Sequence, residues 1–146
     1  MTIFEALRKD HDIQRALLAR LVETHGDSDE RDKLYQQVRA ELHYHAAAEE
    51  RALYIPMMSI DLTQEKARHS VAEHHEIDEL LELLDETDYS ATHWLTHAKQ
   101  LQDLVTHHLD EEEQEVFQLA GRGLQDKQKT SLASEYQEEM QRQRSA

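Results

Sequence analysis

Two segments of the chain repeat one arrangement of chemically active side chains. LHYHAAAEERALYIP places Glu49 four residues after His45, and HHLDEEEQEVF places Glu112 four residues after His108. On a helix such a pair sits about 40° apart around the axis and about 6 Å apart along it, so one ion can reach both. The relation extends further. A shift of 63 residues lays Asp10-His11 on Glu73-His74, Leu17-Leu18 on Leu80-Leu81, Leu42 on Val105 and Leu53-Tyr54 on Val116-Phe117. His11 precedes His45 by 34 residues, and His74 precedes His108 by the same interval. The chain therefore reads as two helical hairpins, each with a lone histidine on its first helix and His-x-x-x-Glu on its second.

Packing the hairpins about a pseudo-two-fold axis brings four histidines and two glutamates into one core layer. Six polar groups there would be strongly destabilising without compensation. Two metal ions, bridged by Glu49 and Glu112 and capped by two histidines each, supply it. Imidazole with carboxylate suits iron, manganese or zinc, and open positions favour iron. The spacing alone is a weak signal, because His69-Glu73, His75-Glu79 and His107-Glu111 also carry it and read as solvated surface pairs. A single histidine on an apolar stripe is more often a hydrogen-bonded core residue than a ligand. Register decides the matter: among the histidines only 11/74 and 45/108 obey the 63-residue shift, and both fall on inward faces.

Four amphipathic helices must position these residues. The first opens at Thr2, with Glu5 at capping-box spacing, and runs to about His25, where Gly26 can end it. The second spans about Glu30 to Ile55 and stops at Pro56. The third, capped by Asp61 or Thr63, continues to about Glu86. The fourth, capped by Ser90, runs from Ala91 to about Ala120, with Gly121 and Gly123 closing it. Apolar stripes Leu7, His11, Leu18, Val22 and Val71, His74, Ile77, Leu81, Leu84 show helical periodicity with a histidine inside each. Short connections mean antiparallel neighbours, hence an all-α, up-down-up-down four-helix bundle over residues 1–122. Residues 123–146 form a C-terminal helical tail, a short helix with Leu132, Tyr136 and Met140 on one stripe, which either docks across the bundle end or frays.

Composition narrows the function. Sixteen basic against 31 acidic residues leave a formal charge of -15, which repels phosphate backbones and anionic lipids, so neither nucleic acid nor membrane is an expected partner. The chain has no cysteine, so it has no disulfide framework and no thiolate chemistry. With no signal-peptide pattern at the N-terminus and no apolar run of about 18 residues, the expected location is the cytoplasm. Neither the Glu-x-x-His of ferritin-like di-iron sites nor the His-Glu-x-x-His of zinc proteases occurs.

With these residues in place, the chain resembles the hemerythrin family, specifically the hemerythrin-like (HHE cation-binding) domains. RKDHD, HAAAEERALYIP, AEHHEIDELL and HHLDEEEQEVF stand where that family's four helices carry their ligands. The resemblance implies metal ligation by His11, His45, Glu49, His74, His108 and Glu112. It implies a non-heme di-iron centre, two iron ions with an oxo or hydroxo bridge, that meets O2, H2O2 or NO. Two departures stand out. Oxygen-carrying members have a fifth histidine one turn before the third-helix ligand, where this chain has Ser70, with His69 adjacent but rotated away. They also place the last carboxylate five residues after its histidine, at Glu113 here, whereas the internal repeat selects Glu112. Reversible O2 carriage loses ground to redox chemistry or sensing. Catalase- or peroxidase-like turnover and an iron- or oxygen-responsive sensor without turnover remain the two forms of the expected function.

Neighbouring residues carry less. Glu41, one turn before His45, is either a partner of the imidazole or metal, or a surface carboxylate. His97 lies about 16 Å along its helix from His108, too far to share the site. Tyr54 and Phe117 read as core anchors, Tyr54 with a secondary ligating or redox reading, and Trp94, Met57 and Met58 as packing. Leu18, Ile77, Leu81 and Leu104 should line the site.

Overall fold

In the computed structural model, which describes residues 1–145, Thr2 opens α1 (Ile3–Leu21) with a complete capping box. The Glu5 amide donates to its hydroxyl and its own amide donates to the Glu5 carboxylate. The helix ends at Leu21 rather than near His25, because Thr24 folds back and its hydroxyl donates to the Leu21 carbonyl at 2.6 Å. Gly26 does take the left-handed conformation, φ 56°, but in the loop beyond. Ser28 caps α2 (Asp29–Glu49).

Pro56 does not stop this second rod. A π-helical turn, π1 (Glu50–Tyr54), follows α2 and leads into α3 (Ile55–Met58). Pro56 falls in the first turn of that new α segment, where its fixed φ suits the helix. The fourth rod has the same construction: α5 (Thr92–Glu111), then π2 (Glu112–Val116), then α6 (Phe117–Gly123). Its cap is Ala91, not Ser90, and it makes no side-chain capping bond. Thr63 precedes α4 (Gln64–Asp85) but its hydroxyl turns away to donate to the Met57 carbonyl, joining the hairpins instead of capping the helix.

α1 packs on α2 and α5, and α4 packs on α5 and π1, giving the up-down-up-down bundle. A layer of polar side chains splits the apolar core in two. On one side lie Leu18, Leu34, Tyr35, Leu81, Trp94 and their neighbours. On the other lie Ile3, Leu7, Leu53, Tyr54, Met57 and Phe117. Trp94 and Met57 are buried packing residues, whereas Met58 is exposed.

The tail neither frays nor crosses the bundle end. α7 (Asp126–Ser145) lies along α1 and α2, where the small side chains of Ala6, Ala48 and Ala52 leave room for Leu132, Ala133, Tyr136 and Met140. No helix of the described residues is long and apolar enough to cross a membrane.

Candidate metal centre

The six residues singled out by the repeat all lie in the polar layer, each nearly inaccessible to solvent. Donor atoms of His11, His45, Glu49 and Glu112 fall within 4.8 Å of one another, and so do those of His74, His108, Glu49 and Glu112. The two groups share both glutamates. Every imidazole points Nε2 inward: His11 3.1 Å from Glu112 Oε1, His45 3.4 Å and His74 3.2 Å from Glu49 Oε1, and His108 3.6 Å from Glu112 Oε2.

Each Nδ1 meets an oxygen on the outside. His11 faces Glu113 at 3.1 Å, His74 faces Glu50 at 3.1 Å, His108 faces Glu73 at 2.9 Å and His45 faces the Tyr136 hydroxyl at 2.7 Å. Acceptors at Nδ1 hold the proton there and leave the Nε2 lone pair free for a cation. Glu113 therefore has a role, though on the outer nitrogen of His11, while Glu112 occupies the shared position. The glutamates crossing between hairpins are equivalent by repeat, since Glu50 serves His74 and Glu113 serves His11. Glu73, expected to be a solvated partner of His69, is buried because it is the acceptor for His108. Glu41 faces Arg144 at 2.8 Å and not His45, and His97 pairs with Gln100 away from the site.

The paired carboxylates make the layer favour positive charge. Burial disfavours a charged His11, but the adjacent carboxylates of Glu112 and Glu113 outweigh it and raise the imidazole to about 9. Burial likewise opposes charge on His74, and Glu49 with Glu50 raises it to about 10. Burial, then the adjacent Glu49 charge, pushes Glu112 up. Burial also works against an ionised Glu49, yet the His45 charge and the adjacent Glu112 and His74 hold it low. The hydrogen bond to His11 brings Glu113 down to about 2, with Arg15 helping.

Two residues gain a place here that periodicity could not show. A regular α-helix puts residue i+5 about 140° from residue i. The wider turn π1 instead brings Tyr54 over Glu49, and its hydroxyl bonds Glu49 Oε1 at 2.9 Å and also Glu112. Ser70 is small and buried. Gln14, one turn after His11, is buried with its Nε2 unpartnered. It lines a cavity of about 10 Å³ with Leu42, His45, His74, Ile77 and His108, room for roughly one water-sized molecule. Leu18 and Leu81 lie in the neighbouring apolar cluster, and Leu104 packs against its edge.

The residues fit a pair of cations. Nε2 of His11, His45 and His108, Oε2 of Glu49 and Oε1 of Glu112 are buried without hydrogen-bond partners, although such atoms are rarely left unsatisfied. Their lone pairs converge on one small region. A helical bundle with paired carboxylates shared between two histidine pairs defines a cation-binding helical protein. The sequence matches the Hemerythrin HHE cation binding domain over residues 2–120, and the chain belongs to that family. Among solved structures it is similar to a Hemerythrin HHE cation binding domain-containing protein from Mycobacterium kansasii. The identity is 23%, the TM-score 0.88, and the match covers 99% of this chain and 88% of the other. A comparison with curated proteins returned no match.

Proposed function

We propose that this chain is a non-heme di-iron protein that binds or reduces a small diatomic or peroxide ligand: O2, H2O2 or NO. The observation that carries the reading is the sharing of Glu49 and Glu112 by two otherwise separate histidine pairs. His11 and His45 would hold one ion, His74 and His108 the other, and both carboxylates would bridge. Bound there, two redox-active ions would supply Lewis acidity and electrons at open positions.

The chain's own side chains limit what can arrive and how it sits. The cavity beside His45, His74 and His108 admits only a molecule of a few atoms. Gln14 offers it a hydrogen bond from an amide that nothing else occupies. The Tyr54 hydroxyl is held against both carboxylates and occupies the space between them. Ile77 and Leu42 keep bulk water out. The outer acceptors Glu113, Glu50, Glu73 and Tyr136 keep the imidazoles aimed.

Metal content per chain after iron loading, with the ultraviolet-visible spectrum before and after peroxide or azide, tests this. Two irons and a ligand-responsive near-ultraviolet band are expected, and peroxide consumption then separates turnover from binding. A folded chain that takes up no iron would overturn the proposal.

A further inference from the structure

The two halves of the repeat differ on one face. In the first half, Ile3, Ala6, Ala48 and Ala52 form the apolar bed on which α7 lies. The 63-residue shift turns these into Lys66, His69, Glu111 and Glu115. Among the described residues no helix lies over the equivalent bed of the second half: His69 is exposed, and half-buried Lys66 pairs with Glu115 at 3.0 Å at its far edge. Where the first hairpin has Asp10 and Tyr44, the second has Glu73 and His107.

We propose that this uncovered face is a separate binding site for a divalent transition metal ion, held by His69, Glu73 and Glu111. Their donor atoms all lie within 4.8 Å of one another. His69 Nε2 is 3.1 Å from Glu111 Oε1 and 3.6 Å from Glu73 Oε2. His107 Nε2 stands 3.3 Å from the other oxygen of Glu111 and steadies that carboxylate from the solvent side. Glu73 is what separates this group from an ordinary surface cluster. Only 7% exposed, it is held in place through Oε1, the acceptor for His108 Nδ1. Oε2 is left without a hydrogen bond and aimed at His69.

One imidazole and two carboxylates, one of them pre-positioned, are a donor set for Zn2+, Fe2+ or Mn2+ rather than for Ca2+ or Mg2+. The local charge of the two carboxylates, on a chain of net charge -15, favours a cation. The ion would stand one carboxylate away from His108 and thus from the buried centre, without sharing a ligand with it. The site stands on its own geometry and holds whether or not iron fills the buried layer.

The test is Zn2+ binding to iron-loaded protein, followed by competition with a chromophoric chelator, in the parent, His69→Ala, Glu111→Gln and His93→Ala. His93 and His97 form a surface pair elsewhere on α5, so His93→Ala controls for incidental chelation. The parent is expected to hold one Zn2+ more than His69→Ala, with affinity falling roughly tenfold or more in His69→Ala and Glu111→Gln and unchanged in His93→Ala. Iron content and circular dichroism should be the same in all four, because His69 is half exposed. X-ray absorption at the zinc edge should show one imidazole with oxygen ligands. If the iron-loaded parent takes up no Zn2+, or His69→Ala binds as the parent does, the site does not exist. If the buried layer takes no iron, Zn2+ enters it too, and the one-ion difference between parent and His69→Ala still decides.

Discussion

The Tyr136 hydroxyl stands 2.7 Å from Nδ1 of His45, 91 residues away, and donates its own proton to Asp10. It accepts from His45, so the imidazole carries its proton outward and its lone pair inward. In the other half, Glu73 bonds His108 Nδ1 directly. Asp10 is the repeat equivalent of Glu73 and is one methylene shorter. The phenol of α7 fills the difference, and Arg144 from the same helix closes on Asp10 at 3.1 Å and on Glu41 at 2.8 Å. The C-terminal helix thus completes one quarter of the centre.

Tyr136→Phe keeps the ring packed and removes only the hydroxyl. Loss of such an orienting partner weakens metal binding by roughly 10–100-fold. Competition against a chelator should show this for one of two ions, with the fold intact by circular dichroism. Equal retention of both ions would show that the hydroxyl does not orient His45.

Glu112→Gln and Glu113→Gln separate a bridging role from an outer one. The first should abolish binding of two ions, because each donor set loses a shared oxygen. The second leaves all six inward donors and removes the charge that holds His11 Nδ1 and Arg15, so it should weaken binding by roughly 10–100-fold without changing the stoichiometry. Metal analysis of both variants checks the difference, and the reverse order would move the bridge to Glu113.

Metal uptake should expel protons. In the metal-free chain His11 and His74 sit at about 9 and about 10, so near pH 7 both carry a proton that an incoming cation must displace. Apparent affinity should therefore rise with pH and level off above about 10. Calorimetry in buffers of differing ionisation enthalpy should count at least two protons released near pH 7 and fewer as pH passes through those values. The metal-free fold shows the opposite sign. These raised values stabilise it fully below about 6.5, and the contribution fades as pH rises through 9 and 10.

Gln14→Leu removes the unpartnered amide beside the cavity while keeping apolar bulk. Metal content should stay the same. Azide or peroxide affinity of the loaded protein should fall by roughly 5- to 10-fold, the equivalent of one hydrogen bond of about 1 kcal/mol. Spectral titration with azide measures it, and unchanged affinity would exclude Gln14 from ligand binding.

Tyr54→Phe acts in two directions. In the metal-free chain it strips a hydrogen bond from two buried carboxylates and should lower stability by about 1–3 kcal/mol. In the loaded chain it vacates the space between Glu49 and Glu112, so azide should bind more tightly. Denaturant unfolding and the same titration read the two effects separately.

The sequence by itself determined the four amphipathic rods, and with them the gathering of His11, His45, Glu49, His74, His108 and Glu112 in one layer. Periodicity of 3.6 fixes which face a residue takes, and an internal repeat fixes which layer, so both are legible without coordinates. The tertiary structure alone decided the rest. Glu113 reaching His11, Glu50 reaching His74 and Tyr136 reaching His45 are contacts between helices, and no spacing along one helix encodes them. Tyr54 turned onto the carboxylates because π1 widens the helix locally, a departure from the regular period that any periodic reading assumes. Glu73 looked like a surface residue because its i–4 neighbour is an exposed histidine, and its burial follows from α5 bringing His108 against it. The narrow stripe of α7 likewise found its bed only because Ala6 and Ala48, small on helices far away in sequence, leave a groove of the right depth.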